Sequence, residues 1–339
     1  MADRNNGRPA ATRRGAVTAA VTAAAAAALP KGAARGQAGG GAWPNRPIRL
    51  VVAWPPGGGA DIPSRLAAGP MQQMLGQPVV IENRAGASGS VAAGAVAQAA
   101  PDGYTVLADT AAISVNHLLI AGLPYDAGKA LAPVSLIALS PLMLVVRADH
   151  PARTLPDLVA RMRAAPGRVS FGHSGVGTLT HLAPVLMLSR AGVTANHVAY
   201  RGGGPSVAGL LAGDAEFVFS TLPQATPLVR EGQLRGLAVS LGQRLANLPE
   251  VPTVAEQGFP GFDLSDWLGF FVPAGTPPAV VARLGEAAGA AMRDGEVVRR
   301  LGQIGMLPRG NSPAEFAAFF ADQRARLGAL IREQGIKAE

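Results

Sequence analysis

The chain has 339 residues, of which 48% are hydrophobic and 15% charged, enough for roughly two domains with their own cores. It contains no cysteine, which excludes disulfides, thiolate metal sites and a cysteine nucleophile. The formal charge of +8 does not indicate nucleic-acid binding. Residues 1–42 hold six basic residues against one acidic residue, whereas the remainder holds 24 against 21.

Residues 1–42 are predicted to be a signal peptide and a flexible N-terminus. The basic pair Arg13-Arg14 precedes an apolar run from Ala16 to Leu29, and Pro30 and small residues follow. The run is too short and too rich in alanine for a membrane span of about 20 apolar residues. Adjacent arginines leave twin-arginine export open beside an ordinary signal. We therefore expect an exported protein whose signal peptide is removed.

From Trp43 onward, strand-like and helix-like segments alternate. Strands are predicted at residues 48–53, 78–82, 105–108, 142–147, 169–171, 197–200, 217–219, 236–240 and 268–272. Helices are predicted at residues 62–75, 91–100, 155–163, 182–190 and 207–211, and two amphipathic helices follow from about residues 280 and 313. Capping-box spacing occurs at residues 154–157 and 312–315. This order predicts an α/β fold with largely parallel sheets. A crossing near residue 142 and a return near 268 would make the first domain discontinuous.

A first glycine-rich loop, PPGGGAD at residues 55–61, follows a strand and precedes a helix. Backbone N–H groups at a helix N-terminus can hold a small anion. Gly57, Gly58 and Gly59 would let the backbone approach a ligand, and Asp61 is placed to cap the helix. The alternative is a tight turn that binds nothing.

A second loop, SGVGTLTH at residues 174–181, repeats the arrangement. It offers hydroxyl and N–H donors around a helix start, with Thr178 as the predicted N-cap. A carboxylate there would accept charge-assisted hydrogen bonds near the positive end of the helix dipole. The alternative is a capped helix without a ligand.

The second loop does not match the catalytic and nucleotide-binding motifs that it resembles. The nucleophile elbow G-x-S-x-G requires glycine where this sequence has Val176, and the dinucleotide motif G-x-G-x-x-G requires glycine where it has Thr180. The sequence has no phosphate-binding G-x-x-x-x-G-K-[ST] motif. Its five histidines show no metal-ligand spacing, so no metal or cofactor is predicted. His181 either touches a ligand or is hydrogen-bonded within the helix start.

Two further strand ends carry candidate ligand contacts. Tyr200 and Arg201 precede three glycines, and Arg201 would either pair with a ligand carboxylate or lie on the surface. Ser220 and Thr221 follow a buried strand, at the edge where α/β sheets usually bind ligands.

These motifs, taken in order, resemble the substrate-binding proteins of the tripartite tricarboxylate transporters, the Bug or TctC-like family. The similarity spans nearly the whole mature chain and rests on PPGGGAD at 55–61, GQPVVIENRAGASG at 76–89, APDGY at 100–104, LPYD at 123–126, SGVGTLTHL at 174–182, VAYRGGGP at 198–205, LPEVPTVAEQGFPGF at 248–262 and VPAGTP at 272–277. Two departures, Ala53-Trp54 and Ala111-Ala112, are expected to bear on the distal end of the ligand.

The resemblance implies a type II periplasmic binding protein with two lobes of mixed, mostly parallel sheets, joined by a two-strand hinge around a ligand cleft. Lobe 1 would comprise residues 43–141 plus 268–339, and lobe 2 residues 142–267, with hinges near 142–147 and 268–273. The expected function is an extracytoplasmic receptor, not an enzyme, that delivers a small carboxylate to a tripartite tricarboxylate membrane permease. We expect a monomer that binds no nucleic acid. An enzyme or a signalling receptor domain on the same scaffold is the alternative.

The resemblance also implies that the loops at 55–61 and 174–181 hold one ligand carboxylate, partly through ordered water. Citrate, a C4 dicarboxylate, an acidic amino acid, nicotinate and an aromatic acid would all use this anchor. The predicted ligand-binding residues are Pro56, Gly57, Gly58, Gly59, Asp61, Ser88, Thr110, Ser174, Gly175, Gly177, Thr178, His181, Tyr200, Arg201 and Ser220.

Overall fold

The structure is a computed structural model that describes residues 43–336. Strands β1 to β10 are Ile48–Val52, Val79–Asn83, Thr105–Thr110, Leu131–Arg147, Ser170–His173, Asn196–Ala199, Phe217–Thr221, Leu234–Val239, Ser265–Pro273 and Leu307–Pro308. Helices α1 to α10 are Asp61–Leu75, Ser90–Ala97, Asn116–Leu119, Leu155–Ala164, Leu179–Ala191, Gly203–Ala212, Leu222–Arg230, Pro278–Arg293, Gly295–Gln303 and Pro313–Glu333. Short 3₁₀ turns occupy Ala87–Gly89, Ala111–Ser114 and Ala255–Gln257.

The predicted signal peptide at residues 1–42 lies outside the described residues. Within them, no helix combines the length and apolar character needed to cross a membrane.

The predicted alternation of strands and helices is confirmed, and so is the α/β class. Both capping boxes form: the Thr154 side chain accepts from the Asp157 N–H at the start of α4, and Ser312 accepts from Glu315 at the start of α10. Helix α5 ends at Gly192, whose φ of 62° is the left-handed conformation that glycine adopts readily.

The strands form one mixed sheet with the order β2-β1-β3-β9-β4-β7-β5-β6, and β8 and β10 also pair with β4. Pairing is parallel within the β1–β3 group and among β5, β6 and β7. It is antiparallel wherever β4 or β9 takes part. Helices cover this sheet, as expected for an α/β fold.

Strand β4 is much longer than the predicted strand at 142–147. Its first part pairs with β9 as far as Pro141, and its second part pairs with β7 from Leu142. Proline lacks the N–H that a central strand needs, so Pro133 and Pro141 argue against a strand in the sequence. In the structure Pro133 lies at a register shift, and Pro141 lies where the strand changes partner. The division into lobes at residues 142 and 268 stays a prediction.

Helices α7 and α9, and the four-residue α3, were not predicted from the sequence. Helix α7 contains Pro223 in its first turn and Pro227 farther along, which hides it from a search for helix formers. Helix α9 has nine residues, and its N-cap is Asp294, whose carboxylate accepts the N–H groups of Glu296 and Val297. Both are too short for a strong periodic pattern.

Helix α10 packs against β9 through a group of aromatic rings. Phe316 lies 5.1 Å from Phe271 and 5.8 Å from Trp267, measured between ring centroids, and all three are fully buried. A Cβ at Gly269 would overlap the Phe316 ring, so glycine is required at this close approach. Full burial of one such side chain contributes about 1.5–3 kcal/mol.

Candidate functional site

A cavity of about 490 Å³ lies where three glycine-containing loops meet. We call residues 54–60 the first glycine loop, residues 174–180 the second and residues 202–205 the third. The cavity floor is formed by Thr110, Ser140, Asp266 and Trp267. One wall is apolar and consists of Val207, Ala208, Leu211, Pro227 and Leu228. Thr221 and Gln224 complete the lining.

The parallel strands direct their carboxyl ends toward this cavity. The first loop joins β1 to α1, the second joins β5 to α5, the third joins β6 to α6, and Thr221 ends β7 just before α7. Ligands of open α/β sheets bind at this edge, outside the strand ends. The two loops singled out from the sequence therefore border one cavity.

The first glycine loop presents backbone donors. Within residues 43–336, the N–H groups of Gly58, Gly59 and Ala60 donate no hydrogen bond, and all three residues line the cavity. Helix α1 begins at the next residue, Asp61. The partial positive charge of the helix N-terminus adds to the attraction for an anion.

Asp61 supports the first loop from behind and is not its helix cap. Ala60 is the N-cap, and the Asp61 carboxylate accepts hydrogen bonds from the Gly57 N–H at 2.9 Å, Arg65 Nε at 2.8 Å and Asn83 Nδ2 at 2.8 Å. Burial raises the pKa of Asp61, but these hydrogen bonds outweigh it, and the pKa is lowered. An ionised Asp61 therefore holds the loop backbone in place.

The second glycine loop uses its hydroxyl protons internally. Thr178 Oγ1 donates to the Gly175 carbonyl at 2.7 Å, so in its 2.8 Å contact with Thr180 Oγ1 it must act as acceptor. Thr180 then has no second proton, and Ser174 Oγ must donate to Thr180 Oγ1 at 2.7 Å. All three hydroxyl protons are thus used. In this arrangement the three hydroxyl groups hold the loop together, and the predicted ligand contacts of Ser174 and Thr178 stay predictions.

The loops approach one another so closely that side chains would interfere. A Cβ at Gly59 would lie 3.3 Å from Thr221 Cγ2, and one at Gly202 would lie 3.0 Å from the Pro55 ring. A Cβ at Gly203 would overlap the Gln224 amide. Glycine in the first and third loops therefore lets the two sides of the cavity meet.

Three histidines gather behind the second loop, outside the cavity lining. His173 Nδ1 accepts the Gly175 N–H at 3.2 Å, and His181 Nδ1 accepts the Gly177 N–H at 3.3 Å. His173 Nε2 lies 3.1 Å from His197 Nδ1. Burial and, to a smaller extent, the neighbouring imidazoles lower the pKa of His173 to about 4 and that of His181 to about 3. Both rings are neutral at pH 7.

This cluster has the residue types of a metal site, with one ligand atom from each ring all within 4.8 Å of one another. Because Nδ1 of His173 and of His181 accepts a backbone N–H, the proton of each neutral ring lies on Nε2. Metal coordination through Nε2 would first require those protons to leave. The arrangement is that of a hydrogen-bonded network that holds the second loop.

The cavity floor contains a buried carboxyl pair. Asp266 Oδ1 accepts the N–H groups of Ala111 at 3.1 Å and Trp267 at 2.8 Å. Asp109, behind the floor, accepts the Thr110 N–H at 2.8 Å and the indole N–H of Trp54 at 3.0 Å.

Burial raises the pKa of both carboxyls. The pKa of Asp266 rises to about 6, and that of Asp109 rises to about 7 because the nearby charge of Asp266 adds to the effect of burial. Backbone hydrogen bonds lower both pKa values but do not cancel the effect of burial. The pair therefore titrates in the neutral range, with macroscopic steps shared between the two groups.

Of the residues predicted to bind the ligand, seven line the cavity: Pro56, Gly57, Gly58, Gly59, Thr110, Ser174 and Thr178. The others lie outside its lining: Asp61, Ser88, Gly175, Gly177, His181, Tyr200, Arg201 and Ser220. A ligand contact for any of the fifteen stays a prediction.

Ser88 connects the first half of the chain to the second glycine loop. Its Oγ donates to the Val176 carbonyl at 2.9 Å, and Asn116 Nδ2 donates to the Ser88 carbonyl at 3.0 Å. Ser88 has a φ of 49°, an uncommon conformation for a residue with a side chain. Gly175 lies directly opposite, where a Cβ would be 2.7 Å from Ser88 Oγ.

The remaining predicted contacts have structural surroundings. The Tyr200 ring fills the space left by Gly172 and Gly209, and its hydroxyl would overlap a Cβ at Gly209. Arg201 is exposed. Ser220 is buried, and its Oγ donates to the Thr221 carbonyl, so that Thr221 and not Ser220 reaches the cavity. Successive residues of a strand point to opposite faces.

Sequence reasoning missed Ser140, Gln224, Asp266, Trp267 and the apolar wall. Ser140 and Asp266 are paired across β4 and β9, although 126 positions separate them in the sequence. No local spacing connects them. Their only sequence signal is a polar residue at an otherwise apolar strand position.

The chain is similar to known proteins over most of its length. A family model described as "Tripartite tricarboxylate transporter family receptor" matches residues 64–336. Protein BugT of Bordetella pertussis is 36% identical over 297 residues, which cover 87% of this chain and 91% of BugT. Two solved structures each align with 88% of this chain and 100% of their own. They are periplasmic binding protein BugD (28% identity, TM-score 0.83) and R. palustris Rpa4515 with adipate (33%, 0.84). The chain belongs to the receptor family of the tripartite tricarboxylate transporters.

Proposed function

We propose that this chain is an extracytoplasmic solute receptor that binds a small carboxylate in the cavity between the glycine loops. One observation carries the proposal: Gly58, Gly59 and Ala60 line the cavity at the start of α1, and their backbone N–H groups donate no hydrogen bond within residues 43–336. A carboxylate would accept them in charge-assisted hydrogen bonds. The adipate bound to R. palustris Rpa4515 supports this ligand class.

The donors suit reversible binding. No Lys or Arg side chain is among the lining residues that the structure describes, so the ligand would be held by N–H dipoles without a salt bridge. The second glycine loop would contribute a hydroxyl proton after Thr178 releases the Gly175 carbonyl. A transport receptor must release its ligand, and such an anchor permits release.

The proposal also covers the location of the protein and the delivery of its ligand. The protein would be exported, lose its signal peptide and act in the periplasm as a monomer, closing lobe 1 (residues 43–141 plus 268–339) on lobe 2 (residues 142–267). It would then deliver the carboxylate to the membrane permease of a tripartite tricarboxylate transporter. We propose binding without catalysis, because Asp266 is the one ionisable side chain among the described lining residues.

The test is calorimetric titration of the mature chain, from residue 43, with a panel of mono-, di- and tricarboxylates, amino acids and aromatic acids. Gly58→Asp and Gly58→Asn form a matched pair, because a Cβ at Gly58 has only ordinary contacts with Gln224 and Pro55. The aspartate variant should lose binding of every carboxylate through like-charge repulsion, whereas the asparagine variant should retain part of it. A neutral sugar or a nucleotide that binds in place of all carboxylates would overturn the proposal.

A further inference from the structure

The cavity floor carries polar groups that face the cavity from three neighbouring strands. Ser140 of β4 lies directly across from Asp266 of β9, and Thr110 of β3 is paired with the residue two positions after Asp266. Directly opposed residues of an antiparallel pair have Cβ atoms about 4.5–5.5 Å apart on the same face. Ser140 and Asp266 are therefore side by side.

Both side chains have hydrogen-bonding capacity that the described residues do not use. Ser140 is 3% exposed, and its Oγ has no hydrogen-bond partner within residues 43–336. Asp266 is 7% exposed; its Oδ1 accepts two backbone N–H groups, whereas Oδ2 accepts none from residues 43–336. A buried polar group without a partner is energetically unfavourable, so a ligand group that forms hydrogen bonds with both side chains would bind favourably.

The floor is also negative. Asp266 is the only ionisable residue among the described lining residues, and Asp109 adds a second carboxyl behind it. A buried carboxylate is stabilised by a cation that can reach it. A second carboxylate of the ligand would instead be repelled at this point.

The rest of the cavity suits a compact apolar body. Trp54 lines it together with Leu211 and Leu228. The anion donors of the first glycine loop and the acceptors of the floor thus border a single apolar space of about 490 Å³.

We propose that Asp266 and Ser140 form a subsite for an ammonium group, and that the ligand is a zwitterionic amino carboxylate with an apolar body. This inference rests on the proposed function. The carboxylate binds the first glycine loop, the ammonium group donates to Asp266 Oδ2 and Ser140 Oγ, and the side chain packs against Trp54, Leu211 and Leu228.

The test compares ligands that differ only in the ammonium group. Leucine is paired with 4-methylpentanoate, phenylalanine with 3-phenylpropanoate, and adipate represents a second carboxylate. Calorimetry of the mature wild-type protein should show that an amino acid binds at least about 30-fold more tightly than its deaminated partner, since truncation of a buried charge pair costs about 2 kcal/mol or more. Adipate should bind more weakly than that amino acid.

Asp266→Asn removes the negative charge and keeps the size of the side chain, and the asparagine Oδ1 can still accept hydrogen bonds from the Ala111 and Trp267 N–H groups. It should remove the preference for the amino acid while leaving the deaminated acid at its wild-type affinity, which also shows that the variant folds. Ser140→Ala should weaken the amino acid several-fold. Asp109→Asn should weaken the preference less than Asp266→Asn does, because Asp109 lies behind the floor and outside the lining and cannot contact the ammonium group directly.

Equal affinity of amino acid and deaminated partner in the wild type, tighter binding of adipate, or an equal loss of both ligands in Asp266→Asn would overturn the ammonium subsite and leave the carboxylate receptor standing. If none of these carboxylates binds, and none of the wider panel either, the receptor proposal itself is wrong.

Discussion

The first and second glycine loops resemble each other in sequence and differ in their hydrogen bonding. In the first, three backbone N–H groups donate to no other group within residues 43–336, and an ionised carboxylate, Asp61, holds the loop from behind. The second uses its three hydroxyl protons internally and is held by two neutral imidazoles, His173 and His181. One loop therefore offers preformed donors, whereas the other must rearrange before it can donate. Two loops of similar sequence can therefore differ in how many hydrogen-bond donors they offer to a ligand.

The largest effect is expected where the ionised support of the first loop is removed. Asp61→Ala leaves the Gly57 N–H, Arg65 and Asn83 without their common acceptor. Hydrogen bonds to charged groups contribute about 1.5–3 kcal/mol each, and exposed Arg65 recovers its share from water, so the free energy of unfolding should fall by about 3 kcal/mol. Urea denaturation of the wild type and the variant measures this difference in the free energy of unfolding.

The matched control is Asp61→Asn, which keeps one carbonyl acceptor and should lose about half as much. Carboxylate affinity should fall in both variants, because the loop that carries the donors loosens. A stable Asp61→Ala protein with unchanged affinity would remove Asp61 from its supporting role.

The imidazole support of the second loop predicts a dependence of stability on acid. The pKa of His181 is lowered to about 3 in the folded protein from about 6.5 in the unfolded chain. Between these values the unfolded chain binds the proton that the fold excludes, so the unfolding free energy falls as pH falls below 6.5, by up to about 1.4 kcal/mol per pH unit. His181→Asn, whose Oδ1 replaces Nδ1 as acceptor, should flatten that decline. Urea denaturation at several pH values tests this, and an unchanged slope would contradict it.

The buried carboxyls of the floor act with the opposite sign. The pKa of Asp109 is raised to about 7 from an ordinary value of 3.8, so between these values the folded protein binds the extra proton. Stability from this group is therefore present at acid pH and is lost as pH rises through 7. In Asp109→Asn the unfolding free energy should fall more steeply than in the wild type as the pH is lowered below 6. It should also no longer fall as the pH is raised from 6 to 7. The same denaturation series measures both changes; parallel wild-type and variant curves would show that Asp109 is ionised throughout.

A smaller effect is expected from the hydroxyl chain of the second loop. Thr178→Val removes the donor to the Gly175 carbonyl and the acceptor for Thr180, at a cost of about 1 kcal/mol. If the first loop carries most of the affinity, carboxylates of every kind should weaken only several-fold. Thr178→Ser keeps the hydroxyl and should behave as the wild type in calorimetry. If Thr178→Val lost carboxylate binding as completely as Gly58→Asp, the two loops would contribute equally to the affinity.

The smallest effect concerns Ser88, which links the first half of the chain to the second loop. Ser88→Ala loses the hydrogen bond to the Val176 carbonyl but keeps a side chain at φ 49°. Ser88→Gly loses the same bond and relieves the unfavourable conformation, which costs about 1–2 kcal/mol for a residue with a Cβ. The glycine variant should melt at the higher temperature of the two. The reverse order would show that this conformation carries no strain.

Much of the fold is readable from local chemistry. Alternating apolar runs, two capping boxes and glycine stops predict the order of elements, because each depends on residues within a few positions of one another. The full length of strand β4 could not be predicted in this way, because Pro133 and Pro141 argue against a strand. Only the structure shows that the strand changes its partner from β9 to β7 after Pro141. Helix α7 was hidden by its prolines for the same reason.

The cavity is only partly readable. Its glycine loops are continuous in sequence and could be found, but the floor joins Ser140 to Asp266 through strand pairing across the chain. The protonation of the second loop also depends on distances, since only the geometry shows that Thr178 donates to Gly175. His181 illustrates the limit: its position beside the loop is evident, but which way its ring faces is not.

The position of Trp54 at the cavity has a spectroscopic consequence. Of the three tryptophans in the chain, Trp54 lines the cavity, the Trp267 ring packs against Phe316 of α10, and Trp43 packs against Tyr104. Indole emission responds to polarity and to nearby carboxylates, and Trp54 donates its N–H to Asp109. Solute capture should therefore change the intrinsic fluorescence of the protein, and comparing Trp54→Phe with Trp43→Phe would locate the signal without any added dye.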